Sequence, residues 1–273
     1  MSETLLAPAE ILPAPPAYPT ITESWGAVGW YLLATLLLGI PAMLVAGRTA
    51  GLARLVAVAS AASLGLTIWW LRRRAGPARW HMSALRGPGE KWGWYALLPL
   101  LVLLQGILLS PLHLLHLPNW TSGTFKEIAH YPVFAFLFGC VAAPVFEELL
   151  FRGILLNGLL RNYSPAVAIG QSALLFGVFH FNPAQSLNAA LMGLLLGWLY
   201  YQTRALGMCI GLHALNNLLA FSAMNSPRLE NTPELSQSMG GVWYLVVLVV
   251  AALALAGCLW WLRRLAAGMG LSR

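Results

Sequence analysis

Aspartate is absent from this 273-residue sequence; all nine acidic residues are glutamates. A pair of intramembrane aspartates is therefore excluded as a catalytic device. Charge of either sign is scarce, with Asp, Glu, Lys and Arg making up 9% of the chain, where a soluble domain carries about 25%. Cysteine is sparse too. Cys140, Cys209 and Cys258 each fall inside an apolar run without paired spacing, which argues against a disulfide framework or a thiolate metal site and leaves them as packing residues. The first 24 residues hold Pro13, Pro15, Pro16 and Pro19 with Glu3, Glu10 and Glu23 and no Lys or Arg, so the basic n-region of a signal peptide is missing. Residues 1–24 read as a disordered, Pro-rich tail.

What the chain does have is apolar length. Hydrophobic residues are 59% of the sequence and mean hydropathy is +0.70. Soluble, secreted, nucleic-acid-binding and disordered readings are excluded. Apolar runs at about 27–46, 52–71, 94–115, 132–160, 164–182, 185–202, 206–222 and 242–262 approach the ~20 residues that cross a bilayer core, where every backbone polar group must be satisfied within the protein. The expected fold is all-α: a polytopic membrane protein of about eight transmembrane helices enclosing a polar intramembrane cavity, with residues 25–273 as one membrane domain.

Eight spans put both termini on one side. Eleven basic residues fall on that side, counting both termini and the 72–93, 161–163 and 203–205 loops, whereas the other side has Arg48, Lys126 and Arg228. The positive-inside rule then makes both termini cytoplasmic. The formal charge of +7 thus reflects membrane sidedness and not nucleic acid. In the 72–93 stretch, Trp80, Trp92 and Trp94 suit the headgroup level.

A charge inside a membrane helix costs on the order of 3 kcal/mol by insertion scales and is a functional candidate by default. The fourth span carries three such charges. Glu148 and Arg152 are four apart and can pair on one helix face, while Glu147 is rotated by about 100° toward another helix, where burial suits a general base. The bland alternative is one buried network that only fixes helix packing. The fifth span ends in Phe176-Gly177-Val178-Phe179-His180 and the seventh carries His213-Ala214-Leu215-Asn216-Asn217, two i, i+4 pairs that each give an imidazole a defined neighbour. Glu147 and His180 lie nearly equidistant in sequence from the turn at Tyr163-Ser164, so an antiparallel hairpin sets them at one depth. His213, about nine residues past the Thr203-Arg204 turn, is expected shallower by roughly 10 Å.

Glu-Glu-x-x-x-Arg, Phe-x-x-x-His and His-x-x-x-Asn on successive membrane helices resemble the CAAX protease and bacteriocin-processing family, membrane endopeptidases related to the Ras-converting CAAX prenyl endopeptidase. The resemblance covers roughly residues 90–222, to which the first two spans and the eighth add little. It implies that Glu147 with His180 activates water, that His213 and Asn217 stabilise the oxyanion of the tetrahedral intermediate, and that Glu148 and Arg152 support them. The residue chemistry agrees. A carboxylate and an imidazole can take a proton from water and return it to the leaving amine, and a second imidazole and an amide can donate to developing negative charge.

Other protease designs fit poorly. No His-Glu-x-x-His zinc motif occurs, and Ser172 is eight residues from His180, about 12 Å along one helix. Zinc held by Glu147, His180 and His213 is the competing cofactor reading; the expectation is catalysis with no cofactor or metal. His81, His113, His116 and His130 read as interfacial polar tips, and Gly193 and Gly197 as sites of close helix approach. The expected substrate is a membrane-associated peptide or protein in the lipid bilayer, the expected location the bacterial inner membrane. The alternatives are a non-catalytic immunity or scaffold protein of the same fold and a proton-coupled transporter using Glu147 and the histidines.

Overall fold

A computed structural model describes residues 17–46, 51–75, 85, 92–226 and 235–268, and every secondary-structure element among them is helical. In chain order these are α1 (Ile21–Ala46), α2 (Leu52–Ala75), α3 (Gly93–Leu115), α4 (Ser122–Ala129), α5 (Pro132–Asn162), α6 (Pro165–Val178), α7 (Pro183–Thr203), α8 (Leu206–Met224), α9 (Leu235–Met239) and α10 (Gly241–Gly268). Six of them, α1, α2, α3, α5, α8 and α10, are long and apolar enough to cross a membrane. The other two expected spans form helices at the expected places with different character. Helix α6 has 14 residues, about 21 Å at the α-helical rise and short of a ~30 Å hydrocarbon core. Helix α7 has 21 residues but opens with Gln185, Ser186 and Asn188 and closes with Gln202 and Thr203. The chain is an integral membrane protein in which α6 and α7 pack between the longer helices and keep Val167, Leu174 and Leu194 exposed.

Helices α6 and α7 pack against each other along their length. Two small residues allow it. A Cβ on Gly177 would lie 2.7 Å from the Ser186 carbonyl oxygen and 2.8 Å from Ala190 Cβ, and one on Gly193 would lie 3.0 Å from Ala173 Cα. Close backbone approach of this kind drives helix association where lipid removes the usual hydrophobic driving force. One core joins α3, the end of α5, α7 and α8 with Leu262 of α10; a second joins α1 and α2 to Phe151 of α5 and to Leu175, Phe176 and Phe179 of α6. The first two helices thus wall the central hairpin directly, with the Tyr31 and Phe179 rings 4.1 Å apart between centroids.

Two sequence expectations are corrected. The tail does not extend to residue 24: Asn162 Nδ2 donates to the carbonyls of Ala17 (2.6 Å) and Pro19 (3.3 Å), Asn162 Oδ1 accepts from Ala17 N (2.9 Å), and α1 begins at Ile21. A Cβ on Gly158 would lie 2.2 Å from Pro19 Cδ, so this strap lies flat on the end of α5. Trp94 keeps its place at the start of the α3 span but does not face the headgroups: it is turned into the protein, 3% exposed beside Leu98. Arg48, Arg79, Arg86, Lys91, Arg228 and Arg273, with Trp80, His81 and the first 16 residues, lie outside the described residues, as does the Trp92 side chain.

Gly177→Ala is expected to lower the unfolding free energy in detergent by about 1–3 kcal/mol through overpacking against backbone. Gly170→Ala on the same helix, where nothing lies within 4 Å, is the control and should melt at or above the wild-type midpoint. Equal midpoints for the two variants would remove the close-approach argument.

Candidate active site

Helix α5 changes its winding around the acidic pair. It is a π-helix over Phe136–Ala142, α-helical over Ala143–Glu148 and π again over Leu149–Leu156. Pro144 accounts for the first widening: it has no N–H to donate and its ring crowds the carbonyl one turn back, so that turn opens. Both wide segments offer carbonyl oxygens to neighbouring helices. Gly139 O accepts from Asn217 Nδ2 at 2.8 Å and Phe151 O accepts from Ser172 Oγ at 3.3 Å. Ser172 is fully buried in that bond, which agrees with the sequence argument against a serine nucleophile.

The Glu148–Arg152 pair forms as expected, with Nη1 to Oε1 at 2.7 Å and both side chains at 0% exposure. The guanidinium has two further partners. Nη2 donates to the Gly193 carbonyl at 3.1 Å, and the guanidinium carbon sits 4.6 Å from the Phe176 ring centroid. Glu148 Oε1 also accepts from His213 Nδ1 at 2.9 Å. One carboxylate oxygen therefore joins α5 to α8, while the cation it balances joins α5 to α6 and α7.

Phe176 organises the two imidazoles. Its centroid is 5.1 Å from the His180 ring and 5.6 Å from the His213 ring, with interplanar angles of 84° and 89°. His180 Nδ1 donates to the Phe176 carbonyl at 2.8 Å. A carbonyl can only accept, so this bond fixes the proton on Nδ1 and leaves Nε2 of the neutral ring as a base. The same logic puts a proton on His213 Nδ1, facing the Glu148 carboxylate.

Glu147 stands apart from this network. Its side chain is 14% exposed, its Oε2 lies 3.9 Å from His213 Nε2, and that buried oxygen has no hydrogen-bond partner among the described residues. The structure therefore brings Glu147, Glu148, Arg152 and His213 into one cluster, with His180 joined to it through Phe176. Among the described residues, Glu147 and His180 share no hydrogen bond or ion pair. Asn217, one turn beyond His213, is tied to α5 through Gly139, and its Oδ1 accepts from Asn216 Nδ2 at 3.4 Å.

The expected 10 Å offset of His213 is overturned by its contacts with both glutamates. The π segments hold more residues per turn, which shortens α5 between Glu148 and Asn162, and the Glu148–His213 hydrogen bond fixes His213 at the level of the acidic pair.

Asn182 is a structural residue of the site that sequence reasoning passed over. It is 0% exposed, accepts from Trp120 N at 3.0 Å, and donates to Asn119 Oδ1 at 3.0 Å and Thr121 Oγ1 at 2.8 Å. It latches the turn after His180 to the 119–121 loop. The Asn182-Pro183 dipeptide, a turn marker, was the available signal. A cavity of about 450 Å³ beside this latch is lined by Asn119, Asn188 and Asn216 with His113 and His116. His113 contacts the Ser110 carbonyl through Nδ1 and Ser236 Oγ through Nε2 at 3.3 Å, a hydrogen-bonded role.

Arg152→Met is expected to destabilise the detergent-solubilised protein by about 3–5 kcal/mol, because it leaves Glu148 charged, buried and without its cation. Glu148→Gln should also destabilise and should free His213. Thermal unfolding of the two variants is the check, and wild-type midpoints in both would show that the pair carries no structural weight.

Residues 128–219 match the family model described as type II CAAX prenyl endopeptidase Rce1-like. No curated protein matches the chain, and no solved structure matches it. The matched stretch runs from the end of α4 to α8 and contains Glu147, Glu148, Arg152, Phe176, His180, His213 and Asn217, every side chain from which the cluster is built. Over this stretch, about a third of the chain, the protein is similar to the Rce1-like family of type II CAAX prenyl endopeptidases.

Proposed function

We propose that the protein is an intramembrane endopeptidase that hydrolyses a peptide bond of a membrane-associated peptide or protein with water activated by Glu147 and His180. The observation that carries this reading is the division of labour between adjacent carboxylates. Glu148 Oε1 takes both Arg152 and His213, whereas Glu147 takes no hydrogen bond from either and has only His213 Nε2 near its Oε2, at 3.9 Å; Oε2 of each carboxylate is buried without a hydrogen-bond partner among the described residues. The uncommitted carboxylate is the one that suits a bound water.

The steps follow from the donors and acceptors. Glu147 accepts a proton from water as the oxygen attacks the scissile carbonyl carbon. His180, with Nε2 as its basic nitrogen, shares that load and returns the proton to the departing amine nitrogen. Protonated His213 carries a second N–H on Nε2, on the Glu147 side of the ring, and Asn217 keeps one amide N–H beyond the one held by Gly139. Both suit the negative oxygen of the tetrahedral intermediate. Glu148 and Arg152 hold His213 in register and touch no reacting atom.

The reaction is proposed to run without a metal. The donors come from three helices, and among the described residues no three His, Cys or acidic side chains gather closely enough to hold an ion. The proposed setting is the bacterial inner membrane with both termini cytoplasmic, supported by the sorting of basic residues. The substrate's relation to prenylated CAAX peptides is a question for assay: the family's name specifies such peptides, whereas the chain's composition specifies only a membrane.

Glu147→Gln should abolish turnover of a membrane peptide substrate while the protein keeps its wild-type melting midpoint, since the amide preserves shape and cannot accept the proton. Full activity in that variant would end the general-base assignment. Asn217→Ala should lower kcat by roughly 10²–10³ with a much smaller change in KM; a change confined to KM would make Asn217 a binding residue. Prolonged chelation should leave turnover intact. Stoichiometric zinc, with activity lost on removal and restored on return, would overturn the metal-free mechanism and recast Glu147 as a ligand.

A further inference from the structure

A second concave site lies away from the acidic cluster, where α5, α6 and α7 end or begin at one face of the bundle. This cavity of about 490 Å³ is lined by Asn157, Leu160, Arg161, Pro165, Tyr201 and Arg204. Arg161 comes from the last turn of α5 and Arg204 from the residue that caps α7. The two guanidinium groups are 43 positions apart in sequence and reach one cavity because the turns after α5 and α7 lie side by side.

Its chemistry is specific in three respects. No carboxylate lines the cavity among the described residues, so the two positive charges are not neutralised from within it. Arg204 is held in place: its backbone adopts a left-handed conformation with φ of 53°, and its guanidinium carbon lies 5.9 Å from the Tyr200 ring centroid and 5.7 Å from that of Tyr201. Leu160 and Pro165 give the lining an apolar part. A planar guanidinium fork matches the oxygens of a phosphate, and two of them suit a phosphodiester.

Position chooses the source of the phosphate. The cavity opens where apolar helices end, at the level of lipid headgroups, on the face to which the basic residues sort, the leaflet in which anionic lipids give a negative surface. An apolar wall beside the cations fits glycerol and the first acyl carbons, which inorganic phosphate lacks. We propose that Arg161 and Arg204 form a binding site for the headgroup phosphate of an anionic glycerophospholipid.

The test uses the full chain, delipidated in detergent and returned to vesicles of equal parts phosphatidylcholine and phosphatidylglycerol, with bound lipid read by native mass spectrometry after re-extraction. Phosphatidylglycerol should be retained over phosphatidylcholine, and Arg161→Gln with Arg204→Gln should lower that retention by roughly tenfold to thirtyfold, since the two guanidinium forks that bond the phosphate are lost together. The comparison pair, Arg263→Gln with Arg264→Gln, removes two exposed cations near the end of α10 and should leave retention unchanged. Retention is compared at matched melting midpoints, and the single Arg161→Gln variant, whose side chain is exposed, serves if the double variant unfolds. No preference for phosphatidylglycerol, or equal losses from the two double variants, would overturn the site. Displacement of the lipid by millimolar inorganic phosphate would overturn its assignment to lipid in favour of a soluble phosphate.

Discussion

A fully buried guanidinium is the constraint around which the rest of the structure is arranged. Arg152 in an apolar interior demands a counter-charge and acceptors for its donors, and it obtains Glu148 one turn back, the Gly193 carbonyl across the bundle and the face of Phe176. Each partner fixes a helix. Gly193 must lack a side chain for α7 to lie against Ala173 of α6, and Phe176 must hold its ring between two imidazoles to serve the cation. Because Glu148 also accepts a hydrogen bond from His213 Nδ1, the depth of α8 is set by the same ion pair. A buried pair of this kind adds little net stability against an apolar substitute, but breaking it by removing one partner is costly. It therefore specifies one arrangement of four helices more strongly than it strengthens that arrangement.

The pairing of Glu148 with Arg152, and not of Glu147, was legible in the sequence because helical periodicity separates adjacent residues by a large angle. Glu148 and Arg152 share a face whether the backbone winds as α or π, and Glu147 does not. The hairpin of α5 and α6, the all-helical class and the glycine contacts of α7 were legible for the same reason: they depend on local period and residue size. The level of His213 was not, since it depends on a proline-induced change of winding in a different helix and on the hydrogen bond to Glu148. The Arg152–Gly193 bond and the Asn182 latch were equally out of reach, being long-range contacts between polar atoms with no periodic signature. Trp94 shows the converse failure: an aromatic belt is a statistical habit of residues at an interface, and at the start of α3 this indole turns into the protein.

The two π segments of α5 bear on how a membrane helix can carry polar chemistry at all. A regular α-helix commits each interior carbonyl to one backbone bond and leaves only a second lone pair for a neighbouring side chain, as at Gly193. Wider turns change that balance, and here the acceptors for Asn217 and Ser172 both come from such turns. The acidic pair lies in the short α segment between them, flanked on each side by backbone that can bond laterally.

The strap formed by Ala17–Pro19 carries an implication for the order in which the chain is assembled. Its hydrogen-bonding partners are Asn162 and, through the Ile21 amide at 3.2 Å, the Tyr163 hydroxyl, about 140 residues further along. A ribosome delivering the chain from its amino end has placed α1 in the bilayer long before residues 158–163 exist. Helix α1 can pair with α2 as soon as that helix follows, but its strap cannot close until the end of α5 has been made. The helix inserted earliest is thus pinned at its start by one of the later segments.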